Sequence, residues 1–346
     1  MTKQREEWLD SMNIVIAVQV ERNMAVYFPE AVMAEIKKLG SVSILDLGKR
    51  RDEAALTGAV GSADVLMSHW GTPRVTAAVL DSAPNLRLIA HCTGSVADLV
   101  SDAVYERGIK VCSANSVMAR FVAEGALAYM LSGLRLMCWH DARMKAGGLW
   151  EQKALETKTL FGARVGLVGL GTVGMYLLEL LKPFGVDVRL YDPYVKPEAL
   201  EQYPWVKTAS LEDTLAWGSV VSIHASLTPE TRHMIGAKEL RRISDGALLV
   251  NTARGAVLDE AALAAELSTG RFRAVLDVFE TEPLPPESPL RHMENVTLQP
   301  HLAGVPVREE MALAMAGEVG RFLAGEPLQY EISYEKYRLM TRETRL

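Results

Sequence analysis

Arg254, Glu282 and His301 are three residues of this sequence whose types could do chemistry together. A guanidinium offers a planar fork of donors that grips a carboxylate and can polarise the carbonyl beside it. An imidazole titrates near neutrality and can give a proton to a nascent alkoxide. A neighbouring carboxylate favours the charged imidazole and keeps that proton in place. Taken singly, each has a plainer reading: Arg254 as a surface ion pair, Glu282 as a loop residue before Pro283, His301 as a hydrogen-bonded core histidine. Position supports the joint reading. Asp192, His224, Arg254 and Asp277 fall at or just past the ends of successive apolar runs, and His301 follows a fifth. Open parallel sheets collect ligands outside the carboxyl ends of their strands.

The element that must organise those runs spans residues 164–174, R-V-G-L-V-G-L-G-T-V-G, followed by M-Y-L-L-E-L-L-K-P. An apolar strand breaks onto glycines, and apolar residues then recur at helical spacing until Pro183. Gly169 suits a tight turn, Gly171 lets the backbone approach a pyrophosphate, and Gly174 lets the helix sit close on the strand, with phosphates resting on free N–H groups at the helix start. A second apolar run, 186–191, ends at Asp192, about where a ribose-binding carboxylate is expected, roughly 20 residues past the turn. The bland alternative is a tight turn that binds nothing. With strand, helix, second strand and acid all present, the pattern points to a dinucleotide. A nicotinamide beside the three residues above would be equipped to reduce a 2-keto acid.

The chain has 346 residues, which favours two domains, each with its own core. With 49% apolar and 23% charged residues it has ordinary globular composition, excluding disordered and collagen-like classes. A net charge of -6 without a lysine-arginine cluster gives no attraction for nucleic acid or for an anionic membrane. Cys92, Cys112 and Cys138 are too scattered for a disulfide framework or a metal site, so no metal is expected and a reducing compartment fits. The N-terminal M-T-K-Q-R-E-E-W-L-D is a poor signal peptide. Residues 122–137, interrupted by Glu124 and Arg135, read as too short for a membrane span. A cytoplasmic protein is expected.

Residues 13–112 alternate short apolar runs (14–18, 42–47, 63–67, 86–90, 109–111) with amphipathic stretches such as 29–36, where Pro29 suits a first helical turn. Such alternation predicts an α/β fold, a parallel sheet with helices on both faces. The loop Cys92-Thr93-Gly94-Ser95-Val96 reads either as a set of N–H groups for a carboxylate or as a plain β-to-α turn. His69 and Trp70 read first as turn and packing residues, second as pocket lining. Residues 116–144 read as one long helix between the domains, its Met-containing stripe core, ended by Gly147-Gly148. Residues 153–162 lead into the glycine-turn strand. Strands resume at 220–223, 247–250, 272–278 and 296–298, Asp259 is placed to cap a helix, and the Pro-rich 283–289 reads as a stiff loop. Residues 306–323 read as a helix apolar on one side, and Tyr330, Tyr334 and Tyr337 as aromatic anchors of the tail.

These motifs make the chain recognisable: it resembles the D-isomer-specific 2-hydroxyacid dehydrogenases. The matching text is V-G-L-V-G-L-G-T-V-G (165–174), H-A-S-L-T-P-E-T-R-H-M-I-G (224–236), L-V-N-T-A-R-G-A-V-L-D-E-A-A-L (249–263), L-D-V-F-E-T-E-P-L (276–284) and Q-P-H-L-A-G (299–304), with R-G-I-K-V (107–111) and F-V-A-E-G (121–125). The resemblance implies two Rossmann-like or flavodoxin-like α/β domains. The substrate domain would be discontinuous, from 1–117 and 306–346, and the NAD-binding domain would run over 118–305. It implies hydride transfer between NAD(H) and a small 2-keto or D-2-hydroxy acid, with His301 as acid/base, Glu282 as its partner and Arg254 as substrate anchor. Beside Gly169, Gly171 and Gly174, Thr172 and Val173 would touch the pyrophosphate and Asp192 the adenosine ribose. Ala225, Ser226 and Thr231 would flank the adenosine and phosphates, Thr252 and Ala253 the nicotinamide side, and Asp277 the carboxamide. Gly94, Ser95 and Val96 would join Arg254 on the substrate. A homodimer through the nucleotide-binding domain would be usual.

The chain also departs from that family. The family's substrate loop commonly reads Gly-x-Gly with an aspartate two places later, where this chain has T-G-S-V-A-D (93–98). Ser226 stands where proline is common, and Val305-Pro306 where a small residue and threonine often occur. These leave the identity of the acid open. A sensor or corepressor that keeps the cofactor site is a different class on the same fold. Formate oxidation is a third, disfavoured because the formate enzymes have glutamine where this chain has Glu282.

Overall fold

Continuous apolar runs, rather than alternating ones, become the central strands of two sheets, as expected where both faces of a strand are buried. The computed structural model describes residues 12–48, 52–148, 156–304 and 307–341. The chain divides into two units, Met1–Met118 with Pro306–Leu346, and Ala119–Val305. The N-terminal decamer, the start of the 153–162 approach and Val305-Pro306 lie outside the described residues.

The first unit holds β1 (Asn13–Val18), β2 (Ser41–Asp46), β3 (Val65–Ser68), β4 (Leu88–His91) and β5 (Lys110–Ser113) in the order β2-β1-β3-β4-β5. The second holds β6 (Arg164–Val168), β7 (Asp187–Tyr191), β8 (Val206–Thr208), β9 (Val220–Ile223), β10 (Leu248–Asn251), β11 (Arg273–Leu276) and β12 (Val296–Leu298) in the order β12-β11-β10-β9-β6-β7-β8. Every strand pair in both sheets is parallel. In the second sheet the winding reverses between β6 and β9, so the loops after these two strands flank the topological switch point.

Alternation along each strand feeds two cores in the second unit. Val221, Leu249 and Leu276 face one cluster with Leu240, Leu263 and Leu267 of the helical layer. Val220, Leu248, Val250 and Val275 face the other, with Ala123, Ala126, Met130, Leu177 and Leu181. Helices thus cover both faces. Asp259 caps the Glu260–Ser268 helix by accepting from the Ala262 N–H at 2.9 Å.

Several expectations are corrected. The stretch 116–144 is two helices, Asn115–Leu134 and Met137–Lys145, because Leu136 takes a left-handed conformation (φ 55°) while its side chain stays buried. Burying a leucine is worth about 1.5–3 kcal/mol, enough to offset the roughly 1–2 kcal/mol of a left-handed residue. By length and composition the 20-residue Asn115–Leu134 helix is apolar enough to cross a membrane, contrary to the reading of this stretch as too short. Here its Ala123, Ala126, Met130 and Leu134 side chains pack into the second unit's core. Pro29 is the N-cap of the Glu30–Lys37 helix and not its first residue. The edge strand β8 and a π-helical turn at Val20–Met24 have no counterpart in the sequence reading.

In the first unit the tail runs beside β5, with Ser113 N–H donating to Tyr330 O (3.2 Å) and Ile332 N–H to Val111 O (2.8 Å). Tyr337 is fully buried against Tyr105, and its hydroxyl donates to Val100 O. Asp259→Ala, which removes a helix cap and nothing from either core, should destabilise the protein by about 1 kcal/mol. A urea midpoint equal to wild type would contradict this.

Candidate active site

Asn251, at the end of β10, folds the next loop onto itself: its Nδ2 donates to Arg254 O (3.1 Å) and its Oδ1 accepts from Ala253 N–H (3.0 Å). Gly255 then passes so close to the loop after β11 that a Cβ there would stand 1.9 Å from the Phe279 carbonyl carbon. Only glycine allows that approach, so the arginine loop and the Asp277–Glu282 loop are pressed together. Phe279 N–H donates to Glu282 Oε1 at 3.1 Å, which orients the carboxylate, and Glu282 Oε2 lies 2.7 Å from His301 Nδ1. With Glu282 ionised, Nδ1 is the donor and Nε2 is left to exchange a proton.

His301 itself sits in the left-handed region (φ 57°), a conformation of order 1–3 kcal/mol above the ordinary ones that persists only where its surroundings fix it. The fixing group is Asp277. Its backbone O accepts from His301 N–H (2.9 Å), and its side chain, 1% exposed, accepts from Leu302 N–H (2.8 Å) and Ala303 N–H (3.0 Å).

Electrostatics follow the geometry. The hydrogen bond to Glu282 raises the His301 pKa above its ordinary value; burial and the Arg254 charge oppose it, while the Glu282 and Asp277 charges add to it. Burial works against ionising Glu282, but the bonds from His301 and the Phe279 N–H and the charges of His301 and Arg254 outweigh it, leaving its pKa below the ordinary value. Arg254 thus acts on both members of the pair. Its Nη1 also donates to Ala253 O at 2.7 Å.

At the switch point, Gly169 (φ 82°) turns the chain where a Cβ would lie 2.6 Å from Ala225 N, so the loops after β6 and β9 abut. Over Gly171, beyond its chain neighbours and its own helix backbone, no atom of the described residues lies within 4 Å of where a Cβ would stand. The Gly171–Leu181 helix begins there with no side-chain cap and no acid in its first turn. Thr172 and Val173 occupy that turn, and Gly174 packs on Gly169 O and Leu170. An open backbone cradle at an uncapped helix start fits a diphosphate. Asp192 closes the turn from the side, accepting from Leu170 N–H (2.8 Å) and Tyr194 N–H (2.9 Å). Beside Arg254, the Thr252 hydroxyl is buried and has no hydrogen-bond partner among the described residues, which suits it to pair with a polar ligand atom.

Other expected positions also make contacts within the protein. Thr231 spends its hydroxyl on its own loop, donating to Ser226 O (2.6 Å) and accepting from Thr228 N–H (2.8 Å). In the first unit Ser95 Oγ donates to Thr341 O of the tail (2.8 Å), Val96 is a core side chain, and Gly94 leaves room for Met118. His69 is buried, within 3.0 Å of Asn23 Nδ2, whereas Trp70 is 48% exposed beside Tyr27. Tyr129 and Asn251 have no role assigned from sequence. Tyr129 donates to Asp277 Oδ1 at 3.0 Å, and a glycine four residues to either side of it is the signal that could have found it.

Comparison with known proteins shows the family of the chain. The family described as D-isomer specific 2-hydroxyacid dehydrogenase, NAD binding domain, matches residues 127–303. D-3-phosphoglycerate dehydrogenase of Mycobacterium leprae is 36% identical over 278 residues, 77% of this chain and 52% of that protein. Glyoxylate reductase of Korarchaeum cryptofilum is 34% identical over 273 residues, 77% of this chain and 82% of that protein. A crystal structure of a Thermus thermophilus protein superimposes with a TM-score of 0.75 at 30% identity, covering 93% of this chain and 100% of that one. The chain spans about half the length of the phosphoglycerate dehydrogenase it matches.

Because folding raises the His301 pKa, the pair's contribution to stability is full below the ordinary imidazole value and is lost as pH rises through the raised one. Because folding lowers that of Glu282, the contribution also fades as pH falls through the lowered carboxyl value. An NMR titration of the His301 ring should give a midpoint above that of free imidazole side chains, and Glu282→Gln should move it down. Equal midpoints in the two proteins would refute the coupling.

Proposed function

The chain belongs to the D-isomer-specific 2-hydroxyacid dehydrogenase family, and from that premise we propose that it interconverts a small 2-keto acid and its D-2-hydroxy acid using NAD(H). The observation that carries the proposal is the 2.7 Å contact between His301 Nδ1 and Glu282 Oε2, with the Arg254 charge acting on both. A nicotinamide cofactor, when bound, supplies or accepts the hydride. Gly171, Thr172 and Val173 would hold its diphosphate, Asp192 its ribose, and Thr252, Ala253 and Asp277 its nicotinamide end.

In the reducing direction, Arg254 grips the substrate carboxylate and polarises the 2-keto oxygen. The imidazolium of His301 gives its Nε2 proton to the oxygen as negative charge develops there, and Glu282 stabilises the charged ring up to that moment. In reverse, neutral His301 takes the hydroxyl proton. Gly94, Ser95 and Val96 would contribute backbone N–H groups to the substrate, since the Ser95 hydroxyl and Val96 side chain are engaged elsewhere. The Ala119–Val305 unit would be the nucleotide-binding domain, and a cytoplasmic homodimer would be the working form. The Asp192 carboxylate, held by two N–H groups, disfavours a 2′-phosphate by charge.

Purified protein with NADH and a panel of glyoxylate, hydroxypyruvate, pyruvate and longer 2-keto acids should reduce at least one of them. Its kcat/KM with NADH should exceed that with NADPH. NADH binding without turnover on the whole panel would support a sensor instead. His301→Ala should lower kcat by about 10²–10⁴-fold while NADH affinity is kept, whereas Arg254→Ala should raise the KM for the acid as well as lower the rate. Equal loss of NADH binding in both variants would overturn these roles.

A further inference from the structure

The Asn115–Leu134 helix carries Gly125, Tyr129 and Gly133 at intervals of four, which places them on one face. That face packs against the second sheet. A Cβ at Gly125 would stand 2.6 Å from Ala303 O and 2.9 Å from Ala303 Cα, and one at Gly133 would stand 2.8 Å from the Leu248 side chain and 3.1 Å from that of Val275. The helix backbone therefore touches the His301 loop at one end and β10 and β11 at the other. Between the two glycines the phenol of Tyr129 reaches Asp277 Oδ1 at 3.0 Å.

We propose that Tyr129 is a positioning residue for His301, acting through the Asp277 carboxylate. The proposal rests on the dehydrogenase reading above for its meaning in catalysis. An ionised carboxylate has about four acceptor sites. Here Oδ1 takes the Leu302 N–H and the Tyr129 hydroxyl, and Oδ2 takes the Ala303 N–H. A carboxylate this deeply buried is held in place by those donors. Two of them are the backbone N–H groups that follow His301, so the direction in which Asp277 points sets the path of the loop. Tyr129 is the one side-chain donor on Asp277 among the described residues, and it comes from a different element, the helix, whose position is fixed by the flanking glycines. A phenylalanine would fill the same space and supply no proton.

Tyr129→Phe keeps the packing and is the test. Amide exchange at Leu302 and Ala303 should speed up by about tenfold or more, the scale of losing a hydrogen bond to a charged group. The His301 ring, which faces Glu282, Arg254 and Asp277, should titrate at lower pH as its contact with Glu282 loosens. kcat should fall several-fold with little change in KM for the keto acid. Tyr203→Phe removes a phenol that bonds Glu179 in the same unit, and it should leave exchange at 302 and 303 and the His301 titration unchanged. The proposal is overturned if Tyr129→Phe leaves the exchange and the titration at wild-type values, or if Tyr203→Phe moves them as much. These two readouts need no substrate. A protein that reduces no keto acid would sink the proposed function and still leave them to decide the role of Tyr129.

Discussion

The constraint on which the site depends is the uniform direction of the strands. Every pairing in both sheets is parallel, so all strands of a sheet deliver their carboxyl ends to one edge. A parallel sheet needs a crossover between successive strands, and the helices that supply it bury both faces. The loops after β6, β9, β10, β11 and β12 have nowhere else to emerge. Residues separated by dozens of positions, from Gly169 to His301, become neighbours because the sheet leaves their loops a single exit.

Within that edge the division between buried and exposed groups is consistent. Asp277, Asn251 and Gly255 are buried and hold backbone in place: a carboxylate accepting from two amides, an amide side chain on its own loop, a glycine against Phe279. His301 and Glu282 are partly exposed and bonded to each other. The His301–Glu282 pair is thus open to solvent while the groups that hold its loops are buried. The same logic explains why His301 tolerates a left-handed backbone: its own N–H and the two that follow are all anchored to one residue.

Much of this is legible in the sequence. The glycine turn, the apolar runs and the Asp259 cap are local signals, and they lead to β6, β9 and β12 and to the capped helix within a residue or two. The pairing of Glu282 with His301 is legible only through chemistry, since nothing local links positions 19 apart. What the sequence hides depends on tertiary contact. Leu136 breaks a helix because its side chain has a place in the core, which no propensity records. β8 is three residues long and exists because β7 offers it an edge. The hydroxyls of Ser95 and Thr231 donate to Thr341 O and Ser226 O, partners that sequence spacing does not reveal. Tyr129 has no role legible in the sequence because its one polar atom finds its partner 148 positions away.

The first unit draws its core from both ends of the chain. Ile332, Tyr337 and Met340 pack in the same cluster as Val15, Leu66 and Ile89, while Ala119–Val305 forms the other unit from one continuous stretch. On a ribosome these two bodies cannot be finished in the order in which they begin. Residues 13–113 emerge before the inserted unit and must wait, with part of their apolar surface uncovered, until residues 307–341 are made, by which time the inserted unit can already have closed. The longer exposure to chaperones and to aggregation therefore belongs to the interrupted unit.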